Sequence, residues 1–139
     1  MRDNIGLYRG KREDNSEWHY GYLYSHKAIR GVSDLTAFSP YEIRDVIPET
    51  VGQCSGVPDK NSQLIFEGDI VESRASENPD DWKQWFVVFE DGCFEFTREC
   101  SKRKKLYERN ILCKDEVELY GLVVVGNIHD SPEITKENR

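Results

Sequence analysis

Six carboxylates crowd the middle of the chain: Glu67, Asp69, Glu72, Glu90, Asp91 and Glu95. Two or more carboxylates converging in a cleft could hydrolyse a glycoside or hold a hard cation. Their neighbours assign them other work. Glu67, Asp69, Glu90 and Asp91 flank Gly68 and Gly92, where turns are expected, and Glu72 and Glu95 are expected to face solvent from strands. Cys54, Cys93, Cys100 and Cys113 are scattered without a CxxC, and His19, His26 and His129 supply no close ligand pair. Zinc sites usually recruit such pairs, so no metal, disulfide or cofactor is expected. The sequence has no GxSxG elbow and no phosphate-cradling glycine loop. No catalytic residue is assigned, and the protein is expected not to be an enzyme.

Two constellations suit binding. Lys102, Arg103, Lys104 and Lys105 form the concentrated positive charge of the chain. Such a basic loop beside aromatics can grip single-stranded nucleic acid through phosphate contacts and stacking, or simply shield a sheet edge from pairing. Trp18, Tyr20, Tyr22 and Tyr24 recur with period two and so share one face of a strand. A stripe of this kind serves as core, subunit interface or ligand platform. His19 lies opposite it and is expected in solvent.

Composition bounds both readings. The chain has 139 residues, 12% aromatic and 32% charged, with a formal net charge of −7. That length suits one ordinary domain or two very small ones, and the aromatic content is too high for a disordered chain. Net negative charge disfavours non-specific binding to nucleic acid or anionic membrane, which relies on Lys and Arg releasing counterions. No segment approaches the roughly 20 apolar residues of a membrane span. Met1-Arg2-Asp3-Asn4 carries no signal-peptide core, so a cytoplasmic location is expected.

The elements that must position these residues read as β. Leu7–Arg12 and Glu17–Tyr24 form a hairpin, Tyr41–Ile47 a return strand stopped by Pro48, and residues 25–40 a loop enclosing a short strand or turn. Gln63–Phe66 and Ile70–Ser73 flank the turn Glu67-Gly68-Asp69. Trp85–Phe89 and Cys93–Phe96 flank Asp91-Gly92, a pair that favours a two-residue hairpin turn. All five residues of the first arm are apolar, which predicts burial on both faces. Trp85, Val87, Phe89, Phe94, Val123 and Val125 are the expected core. Arg98–Glu116 is expected to be a charged loop with at most a short helix, and Leu119–Ile128 a closing strand. This divides into an N-terminal β module over 1–57, a small barrel over 64–129 and a polar, frayed tail over 130–139.

An ordered series of motifs adds to this. It comprises Tyr8-Arg9-Gly10-Lys11-Arg12, Trp18-His19-Tyr20-Gly21-Tyr22-Leu23, Pro48-Glu49-Thr50-Val51-Gly52-Gln53, Phe66-Glu67-Gly68-Asp69-Ile70-Val71, Glu90-Asp91-Gly92-Cys93-Phe94 and Val125-Gly126-Asn127-Ile128-His129. In order and spacing the chain resembles the YopX family of phage and prophage proteins. Cys54, where relatives often have an aromatic residue, and Asn61-Ser62, in place of Asn-Gly, depart from the pattern. The resemblance implies a mainly β fold with an SH3-like small barrel, little helix, self-association, and no established activity. The expected function is therefore a non-enzymatic accessory role of a phage or prophage, through protein interaction or homo-oligomeric assembly, inside the host bacterial cell. The alternative is a nucleic-acid-binding small barrel using Lys102–Lys105. An unidentified phage or host protein partner is compatible with the first.

Overall fold

Antiparallel pairing organises the chain. The computed structural model describes residues 7–23, 28–34, 37–39, 42–98 and 109–130. Its internal contacts divide it into two units, Met1–Gly56 and Val57–Arg139.

In the first unit, β1 (Leu7–Lys11) pairs with β2 (Trp18–Leu23), and β2 with β3 (Ala28–Asp34). Two short strands, β4 (Ala37–Ser39) and β5 (Glu42–Asp45), follow one another along the far edge of β3. The loop expected over 25–40 thus contains two strands. Their pairing, rather than any apolar alternation, defines them, and that is why the pattern did not show them. Pro48 ends the return segment as expected and opens a single 3-10 turn, Pro48–Thr50. Thr50 makes this turn a joint. Its hydroxyl donates to the Ile47 carbonyl (2.6 Å) and accepts from the Lys11 N–H (2.9 Å). The chain then enters β6 (Gly52–Pro58), whose first residues pair with β1.

In the second unit, β7 (Leu64–Phe66) leads through a tight turn to β8 (Asp69–Ser73). Asp69 is buried, and its carboxylate accepts the Phe66 N–H at 2.8 Å, tying the two ends of the turn together. Strands β9 (Lys83–Glu90), β10 (Cys93–Thr97), β11 (Arg109–Ile111) and β12 (Leu122–Asn127) complete a sheet ordered β11-β10-β9-β8-β12. The expected barrel closure is not seen: among the described residues no pairing joins β11 to β12. The hairpin is as expected. Glu90 pairs with Cys93 across Asp91 (φ +54°) and Gly92 (φ +79°), both left-handed as this two-residue turn requires.

Register assigns the core. Val71, Trp85, Val87, Phe94, Phe96 and Val124 lie on one face of the sheet, and Ile70, Phe86, Thr97 and Val123 on the other. Adjacent Phe86 and Val87 are each 1% exposed, so β9 is covered on both faces as its unbroken apolar run predicted. Ile65, Val71, Val87, Phe96, Leu112, Val117 and Leu122 form the buried cluster. Rings of Trp85 and Tyr120 meet Phe96 edge-on at 5.3 and 5.4 Å.

Phe89 is a correction. It is 39% exposed, because the hairpin arms outrun the core toward the turn, and its ring rests on Phe94 at 4.6 Å. Val87 and Val123 are buried as expected, while Trp85, Phe94 and Val125 are only half-buried. Phe96→Ala should therefore cost about 3–5 kcal/mol, and Phe89→Ala less than about 1.5 kcal/mol from partial lost burial. Urea titrations of the two variants check the order; equal losses would show that the hairpin tip is as well packed as the centre.

The helix also falls elsewhere than expected. α1 (Lys114–Tyr120) takes Leu119 and Tyr120 from the closing strand, which begins at Leu122. Straight-chain residues and two acids in its first turn favour helix there. Gly121, left-handed at φ +63°, ends it, and its N–H caps the Val117 carbonyl. No helix among the described residues is long and apolar enough to cross a membrane.

Candidate interaction surfaces

Asp69, Glu72 and Asp91 serve the scaffold. Asp69 holds its turn, and Glu72 pairs with Arg74 at 2.7 Å. Glu95 is 5% exposed, not in solvent as expected: it sits on β10 between Val88 and Ile111, on the sheet face that also carries buried Phe86 and Thr97. Among the described residues, no three His, Cys, Asp or Glu side chains gather closely enough to hold a metal ion.

The aromatic stripe is real and carries an addition. Leu7, Arg9 and Lys11 stand opposite Tyr22, Tyr20 and Trp18, so all six side chains share one sheet face. The Arg9 guanidinium lies 4.6 Å from the Trp18 ring centre and the Lys11 ammonium 5.6 Å. Trp18 and Tyr20 are half-buried and Tyr22 is exposed at the margin. His19, on the opposite face, is buried, which corrects the solvent position expected for it. That face is covered as well: Val46 packs against Gly10, the cross-strand neighbour of His19. Tyr24 and Lys102–Lys105 lie outside the described residues.

The second sheet ends in two unlike edges. β12 is covered. Asp59, buried in the loop after β6, accepts the Val124 N–H through Oδ2 (2.9 Å), while the Lys60 N–H donates to the Leu122 carbonyl (2.9 Å). Asp59 Oδ1 also accepts the Asn61 and Gln63 N–H groups, which fixes the loop in place. At the opposite edge, no described residue pairs with the outer side of β11, and Ile111 is 62% exposed there.

A groove of about 430 Å³ follows the covered edge. It is lined by Pro58, Asp59, Lys60, Ala75, Lys114, Val117, Glu118 and Gly121. Three segments far apart in sequence meet there, so no local motif could have announced it. Ser73, Ser76, Trp85, Leu119 and Tyr120 line a second hollow of about 420 Å³.

This two-sheet β architecture has counterparts among solved structures. The crystal structure of protein EF1440 from Enterococcus faecalis superposes with a TM-score of 0.58, covering 92% of this chain and 96% of that one at 22% identity. That likeness is one of fold. No curated protein matches the chain. The family model for YopX protein matches residues 7–136, and the chain belongs to the YopX family.

Proposed function

We propose that the protein is a non-enzymatic accessory protein of a phage or prophage, acting in the host bacterial cytoplasm through protein interaction and self-assembly. The observation that carries this reading is the contrast between the edges of the second sheet. An unpaired strand templates association unless it is covered or charged. The β12 edge is covered by Asp59 and Lys60, whereas β11 presents Ile111. In this reading a second copy pairs with β11. At −7 per chain, acids must stay at the rim of such an interface. The motifs that carry the family likeness support the reading too, since Thr50, Asp69, Asp91 and Gly92 build turns and joints.

Light scattering at micromolar concentration tests it. The unaltered chain should give an oligomer mass, and Ile111→Lys should lower that mass without loss of secondary structure. A monomer mass across salt and concentration would remove the assembly reading. The alternative is single-stranded nucleic-acid binding by Lys102–Lys105, which rests on that basic run and on the aromatic content of the chain. A salt-dependent band shift would favour it.

A further inference from the structure

We propose that the groove beside α1 binds a small organic anion: a phosphate or carboxylate carried on an apolar body. This inference is independent of the assembly reading. Lys114, Val117, Glu118 and Gly121 are spaced so that they share one face of the helix and its cap, and all four line the groove. Pro58, Ala75 and Val117 make its floor apolar. Gly121 lets the helix end sit directly on the Ala75 backbone, since a Cβ there would lie 2.9 Å from the Ala75 nitrogen. A volume of about 430 Å³ is within the range of small-molecule sites.

The rim supplies the charge. Lys60 and Lys114 are exposed, and neither forms an ion pair with any described residue, although Glu118 stands one turn from Lys114. The other acid of the groove is already engaged: both Asp59 oxygens accept backbone N–H groups. Two unpaired ammonium groups over an apolar floor favour a ligand with an anionic head and an apolar body. Glu118 disfavours ligands with negative charge along their whole length and can accept a donor from the body.

The test uses the full-length, isotope-labelled chain and three probes: phenyl phosphate, phenylacetate and inorganic phosphate. The amides of Lys60, Ala75, Val117 and Gly121 should shift saturably with an aryl probe. Inorganic phosphate, lacking the body, should bind more weakly. The tighter aryl probe identifies the head group as phosphate or carboxylate. Lys60→Gln with Lys114→Gln should weaken binding by about tenfold or more, as expected for two lost charge-assisted hydrogen bonds. Ala75→Phe, at an exposed position, should block the groove, and the amide spectrum reports whether each variant is folded. Saturable shifts elsewhere, no saturation by about 10 mM, a millimolar affinity being already only about −4 kcal/mol, or full binding by the folded double variant would overturn the proposal.

Discussion

Asp59→Ala is expected to lower the unfolding free energy by about 3–5 kcal/mol. One carboxylate accepts three backbone N–H groups, those of Asn61, Gln63 and Val124, at 2.8–2.9 Å, and the side chain is 5% exposed. Each buried donor left without an acceptor costs about 1–3 kcal/mol. The loop residues Asn61 and Gln63 are exposed and regain water, so the total falls below three full penalties. Val124 cannot recover so easily, because its N–H belongs to the outer edge of β12. Asp59→Asn keeps acceptor capacity on one atom only and should lose about half as much. Urea titration measures this as a lower midpoint with an unchanged slope. Hydrogen exchange at the Val124 amide should accelerate in step. A loss under about 1 kcal/mol would mean that other groups hold the loop and the β12 edge.

The same residue shows what could be read from sequence. The composition of Gly56–Asn61 predicts a turn there, but Gly56, Val57 and Pro58 still belong to β6, and the chain turns only from Asp59 onward. That the carboxylate also reaches Val124, sixty-five positions away, has no local signal. The Asp91-Gly92 hairpin and the two-sided burial of β9 are legible because turn chemistry and apolar runs are local properties. Glu95 and His19 are misplaced by one assumption, that each strand has a wet face. Alternation assigns residues to faces but does not say which faces are covered. Phe89 is misplaced because an apolar arm longer than the core it serves still reads as core. The groove lies beyond sequence reasoning altogether, since Pro58, Ala75 and Val117 become neighbours only through the fold.

Gly121 separates two costs usually measured together. Gly121→Ala is expected to destabilise the protein by about 3–5 kcal/mol. A non-glycine residue held left-handed costs about 1–3 kcal/mol. Here the new Cβ would also lie 2.9 Å from Ala75 N, 3.1 Å from Arg74 C and 3.2 Å from Ala75 Cα. These are backbone atoms and cannot rotate away. Relief requires α1 to lift from the end of β8, which breaks the Arg74 N–H bond to the Gly121 carbonyl and the Ala75 N–H bond to the Tyr120 carbonyl, both 3.1 Å. Their loss adds about 0.5–1.5 kcal/mol each. Gly92 is the control, because it has φ +79° but nothing within 4 Å of the position a Cβ would take. Gly92→Ala should show the conformational cost alone, about 1–2 kcal/mol. Denaturant titration of the two variants reads the difference. Equal losses would mean that the helix C-terminus yields without cost, and that its packing against Arg74 and Ala75 does not fix where β12 begins.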